Sequence, residues 1–107
     1  MIRSGLKLTA WMLMLELAAF GRAGAAEPQA LLQKYKCYVC HADTTTKTGP
    51  AFVDVATRYR GDSQAAAMLA AAIKDGAHGA GPWHMPPHPE VSDADARKMI
   101  RYILSLR

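Results

Sequence analysis

The chain has 107 residues, two cysteines, four histidines and a formal charge of +4, which allows one small domain at most. If the first 25 residues are a removable leader, ten basic and eight acidic side chains remain, and no run of like charges is left to draw nucleic acid or hold the chain on a membrane. The 82 residues that follow bury only a thin core, so a staple or an internal ligand is expected to complete it.

Residues 1 to 25 have the layout of a secretory signal. Arg3 and Lys7 make a basic start, Leu8 to Phe20 is mostly apolar although Glu16 interrupts it, and Ala23-Gly24-Ala25 is a small-residue cleavage site. Thirteen residues are too few to cross a hydrocarbon layer of ~30 Å as a helix, so no stable insertion of the mature chain is expected. From Glu27 the pattern turns helical: Glu27 suits a cap, Pro28 the first turn, and Leu31, Leu32 and Tyr35 form an apolar side. This helix is expected to close on the motif Cys37-Tyr38-Val39-Cys40-His41.

Two thiols three positions apart, with an imidazole directly after the second, is the spacing that attaches a c-type haem. Each sulfur adds across one vinyl group, and the histidine reaches the iron. A zinc site would need two further ligands of matching softness, and there is no third cysteine. A redox dithiol would want a strand before it and a helix opening at it, whereas this motif follows a helical segment. One covalent haem is therefore the expected cofactor, with Cys37 and Cys40 as its thioethers and His41 as an iron ligand.

Residues 42 to 50 are polar and end in Gly49-Pro50, so they read as a loop. Phe52, Val55, Ala56 and Tyr59 fall at helical spacing. Arg60-Gly61-Asp62 interrupts, and the next helix is expected to open at Asp62 or Ser63. It is alanine-rich, with Met68, Leu69, Ala72 and Ile73 on its apolar side, and Gly76 is placed to end it in a left-handed turn. Met68 and Met99 read as core methionines. Residues 76 to 91 carry three glycines, four prolines and three histidines, a long irregular stretch of the sort kept for function. Ser92 caps the last helix, whose buried stripe is Ala96, Met99, Ile100 and Ile103. No alternating strand pattern occurs, and the fold class is all-α.

A histidine-ligated iron that only moves electrons needs a sixth partner. The candidates are Met85, His78, His84 and His88. Met85 is favoured because Pro86 and Pro87 stiffen the chain after it. His84 would instead give a bis-histidine iron, and His84, Met85 and His88 together also have the donor types of a copper site.

Cys37 to His41, Gly49-Pro50-Ala51-Phe52, Met85-Pro86-Pro87 and the closing Arg101-Tyr102-Ile103-Leu104 together resemble the short-chain bacterial class I cytochromes c, over essentially all of residues 27 to 107. The resemblance implies four or five helices wrapped around one haem, with the region of Leu31 to Tyr35 touching Tyr102 or Ile103. It implies that the Pro50 carbonyl accepts from His41, that Phe52 packs the site and that Trp83 donates to a haem propionate. Two positions depart from it: Lys36 stands where a glycine is common, and His88 where an asparagine often donates to the methionine sulfur.

The function implied is a periplasmic one-electron carrier, a monomer and not an enzyme, working between a dehydrogenase, a reductase or a terminal oxidase. Lys36 and Lys47 are candidates for its docking patch. Alternatives are a haem subunit of a periplasmic dehydrogenase or oxidase complex, and a haem enzyme or gas sensor in which Met85 leaves the sixth position open.

Overall fold

The computed structural model describes residues 27–79 and 84–107, and the regular structure there is mainly helical. The expected leader and Trp83 lie outside those residues. The first helix, α1, covers residues 27–34 and buries Leu32, with Leu31 and Tyr35 half-buried beside it. It stops short of the motif. Lys36 adopts a left-handed conformation, with φ 61 and ψ 27, and among the described residues it alone does so without being glycine. That costs a side chain with a Cβ roughly 1–2 kcal/mol and explains why glycine suits this position. A 3₁₀ turn, Cys37–Val39, follows.

Three further helices complete the frame: α2 spans Phe52–Arg58, α3 spans Ala65–Asp75 and α4 spans Asp93–Ser105. The start of α3 falls later than Asp62 or Ser63. Asp62 uses its carboxylate locally, accepting from the Gln64 backbone N–H at 2.8 Å, while its carbonyl accepts from Ala65, so a turn occupies the place of the first helical residues. Ser92 caps α4 as its sequence position suggests, its Oγ accepting from the Asp95 N–H at 3.1 Å. Between α3 and α4 lies a two-residue antiparallel ribbon, β1 (Ala77–His78) with β2 (His84–Met85). Two residues per strand are too few to leave an alternating pattern.

The core is built on α4. Ala96, Met99, Ile100 and Ile103 are all buried and meet Leu32 of α1, Phe52 of α2 and Val91. Leu69 and Ile73 of α3 pack half-buried at its edge. Met68 is the exception to the expected core: it points outward and is 47% exposed. In a helix so rich in alanine the apolar positions extend around the whole surface, and periodicity cannot single out one side. The first and last helices are tied as expected, with Leu32 and Ile103 in one core cluster and Tyr35 and Tyr102 packed against it. Tyr35 donates to Asp95 at 2.6 Å, while Tyr102 accepts from Gln29 at 2.9 Å.

A further tie was not foreseen. Asp43, just past the motif, accepts hydrogen bonds from Tyr38 at 3.0 Å and from Tyr102 of α4 at 2.5 Å. Burial, reinforced by the bond to Asp43, raises both phenols above their ordinary pKa.

Met99→Ala should therefore destabilise the protein by about 2–5 kcal/mol, the usual cost of emptying a packed core site, while Met68→Ala stays within about 0.5 kcal/mol; urea denaturation measures both. The raised phenols set an alkaline limit. Their contribution is complete below about pH 10 and is lost as pH rises through the higher folded-state values, so the urea midpoint falls above about pH 10 and falls less steeply in Tyr38→Phe.

Candidate functional site

The left-handed turn at Lys36 delivers the chain into the 3₁₀ turn, whose backbone gathers the motif. The N–H groups of Cys40 and His41 both donate to the Cys37 carbonyl, at 3.2 and 3.0 Å, so two thiols and an imidazole leave one turn of backbone. Cys37 and Cys40 are not joined to each other, and both side chains are half-buried. Burial pushes the Cys37 thiol above its ordinary value, the opposite of the lowered pKa that marks a reactive dithiol. Among the described residues no group of three or more His, Cys, Asp or Glu side chains is placed to hold a metal ion.

His41 is held on three sides. Its Nδ1 lies 2.7 Å from the Pro50 carbonyl oxygen. A carbonyl can only accept, so Nδ1 carries the proton and Nε2 keeps its lone pair. The Phe52 ring stacks on the imidazole at 4.8 Å between centroids, inclined by 16°. On Gly49 a Cβ would come within 2.5 Å of His41 Cε1, so only glycine allows the loop to pass so close to the ring. That loop is sewn to the motif by backbone bonds: Gly49 donates to Cys40 at 2.7 Å, Phe52 to Ala42 at 2.9 Å and Val53 to Asp43 at 2.9 Å. The imidazole thus has one tautomer and one orientation, with a single nitrogen left to bind.

The second group of candidates sits on the ribbon and the segment after it. Gly76 ends α3 with φ 85 and ψ 167; the positive φ agrees with expectation, but the extended ψ sends the chain straight into β1. A Cβ on Gly76 would come 2.8 Å from the Met85 carbonyl oxygen and 3.3 Å from the Pro87 nitrogen, so the backbone of residues 85–87 rests directly on this glycine. His88 continues the attachment, its N–H donating to the Ile73 carbonyl at 2.8 Å. The register pairs Ala77 with Met85 and His78 with His84. Met85 is consequently half-buried on one face of the ribbon, and His78 and His84 are exposed on the other. His88 is half-buried, and its Nδ1 is fully buried with no hydrogen-bond partner among the described residues.

These features fit a flat, largely apolar group. The protein's own interior is small, its largest fully buried side chains being Leu32, Met99 and Val91. A fringe of half-buried apolar residues, among them Tyr38, Val55, Leu69 and Ile73, surrounds it. The orphaned His88 nitrogen calls for a partner that the described residues do not supply, and the donor set of two thiols and an oriented imidazole suits a haem.

The family model for cytochrome c matches residues 25–107. The chain belongs to the cytochrome c family. It is 41% identical over 101 residues to cytochrome c-552 of Nitrosomonas europaea, a match that covers 92% of this chain and 98% of that protein. It is 42% identical over 84 residues to cytochrome c-551 of Pseudomonas aeruginosa, covering 78% and 80% of the two chains. The crystal structure of the wild-type Nitrosomonas europaea cytochrome c552 superposes with a TM-score of 0.70 at 41% identity, over 74% of this chain and 99% of that one. The fold is the small all-α class I cytochrome arrangement, the cofactor is a single covalent haem c, and the chain stands among the electron-carrying cytochromes.

Two glycines and one carboxylate were missed as participants by reading residue types. Gly49 and Gly76 were legible as turn signals, but that each lies against a candidate ligand residue is a matter of distance. Asp43 has no signal at all, since its partner Tyr102 stands 59 residues away.

Gly49→Ala should push the imidazole off the Pro50 carbonyl and alter the absorption spectrum and midpoint potential of the haem-loaded protein. Gly61→Ala is the control, because φ there is 79 but a Cβ would have nothing within 4 Å. It should cost roughly 1–2 kcal/mol of stability and leave the spectrum unchanged.

Proposed function

We propose that this cytochrome is a periplasmic one-electron carrier, exported through residues 1–25, whose domain of residues 26–107 holds the haem through Cys37 and Cys40 and its iron through His41 and Met85. The observation that carries this reading is the locked imidazole. His41 presents Nε2 beside two thiols, with the Pro50 carbonyl fixing its tautomer and orientation. Met85 is supported over His84 as the other ligand by the ribbon register, which turns the thioether inward and the imidazole outward. His88 offers a buried Nδ1, without a partner among the described residues, that can donate to the bound group. A donor in that position stands in for the asparagine of the family resemblance.

The haem supplies one reversible electron at its iron. The chain's task is to keep everything else from happening. Phe52, Leu69, Ile73 and Ile100 exclude water, and Pro50, Gly49 and Gly76 hold the two ligand segments still, so little rearranges when the charge changes. With His41 and Met85 both holding the iron, no site would be left for a substrate, and the chain would transfer electrons without acting as an enzyme.

Partners are redox proteins, a dehydrogenase on one side and a reductase or terminal oxidase on the other, met in brief encounters by a monomer. Val39, 67% exposed between Lys36 and Lys47, gives such a patch an apolar centre with a cationic margin. Lys47 is steadied there by donating to the Tyr38 carbonyl at 2.9 Å. No helix among the described residues is long and apolar enough to cross a membrane.

Absorption spectra of the purified protein in both oxidation states test the ligand pair. Wild type should show the weak red band of sulfur bound to ferric iron and should resist carbon monoxide when ferrous. Met85→Ala should lose the band and bind the gas readily, while His84→Ala changes neither. The opposite pattern in the two variants would transfer the ligand role to His84.

A further inference from the structure

The ribbon that carries Met85 on its inner face has two histidines on its outer one, and the electron-transfer reading uses neither. His78 and His84 are directly opposed partners across β1 and β2, both exposed, with ring centroids 5.8 Å apart and planes inclined by 43°. Neither ring makes a hydrogen bond with the described residues. We propose that His78 and His84 form a two-imidazole site for a late first-row divalent ion, nickel, copper or zinc, clipped across the outer face of the ribbon.

Geometry supports the pairing. An imidazole nitrogen binds such ions at ~2.0–2.1 Å, which puts each ring centroid ~3.2 Å from the metal and two rings at a tetrahedral angle ~5.2 Å apart. The observed 5.8 Å between centroids is close to that separation. Opposed positions on an antiparallel pair keep both side chains on one face, and their exposure leaves the remaining coordination places to water. Imidazole donors select nickel, copper and zinc over magnesium and calcium, which want oxygen. The other two histidines do not compete: His41 is committed to Pro50, and His88 is buried at its Nδ1 on the inner side.

An ion held there joins β1 to β2 one residue away from Met85, whose carbonyl already rests on Gly76. It therefore fastens the segment that carries the thioether from the side opposite the haem. This consequence rests on the proposed role of Met85, whereas the site itself does not.

The test uses untagged, haem-loaded protein and nickel chloride as the probe. Isothermal titration should find one nickel per chain for wild type, at least 10-fold weaker binding in His78→Ala and in His84→Ala, and unchanged binding in His88→Ala. Nickel should raise the melting temperature of wild type and not that of His78→Ala, which as an exposed substitution folds normally. Absence of binding at millimolar nickel, or binding that survives loss of His78, overturns the proposal. Nickel bound normally by wild type together with a Met85→Ala spectrum identical to wild type would instead sink the ligand assignment and leave this site standing.

Discussion

The hydrogen bond from His41 Nδ1 to the Pro50 carbonyl is the contact around which the rest is arranged. Taken alone, a neutral bond of this kind contributes only about 0.5–1.5 kcal/mol. Its importance lies in what it selects. It decides which nitrogen is protonated, and by fixing the ring it decides where the remaining lone pair points. The neighbouring features make that selection permanent: proline limits the backbone that offers the carbonyl, the bare Cα of Gly49 lets it come close, and Phe52 blocks the ring from turning. None of these can be replaced without moving another, which is why four consecutive residues, Gly49 to Phe52, act as a single part.

The opposite side of the site is assembled by different means. There the anchoring is backbone against backbone, with the Met85 carbonyl and the Pro87 nitrogen packed on Gly76 and the His88 N–H bonded to the end of α3. A side chain seated on such a segment keeps more freedom than an imidazole that is itself bonded and stacked. The unpartnered nitrogen of His88 and the modest interior have the same implication. The polypeptide is incomplete as a packed object, and its cofactor closes the core as well as providing the chemistry.

Much of this was legible from residue types because the signals were local. The stripe on α4 and its Ser92 cap follow from spacing within one helix, and the thiol and imidazole motif is five consecutive residues. Pro50 could be tied to His41 only through the family resemblance, since eight residues of loop separate them. What stayed hidden was either too short to show periodicity, too uniform or too distant. The two-residue strands are of the first kind, and they decide which of His84 and Met85 faces inward. The alanine helix is of the second kind, and it misplaced Met68. Asp43 is of the third. Lys36 belongs with none of them: a lysine carries no hint of a positive φ, and only its place before the motif drew attention to it.

The pairs that join the two ends of this chain are widely separated in sequence. Glu27 meets Lys98, Gln29 meets Tyr102 and Tyr35 meets Asp95 across 71, 73 and 60 residues. An all-helical protein ordinarily folds through neighbours, yet here the terminal helices must find each other after the whole middle of the chain has been looped out. Helix propagation is then the quick part of folding, and end-to-end encounter is the slow one. A covalent haem, which we propose is rooted at Cys37 and Cys40 close behind the first of those ends, gives that encounter a ready-made apolar surface to settle on.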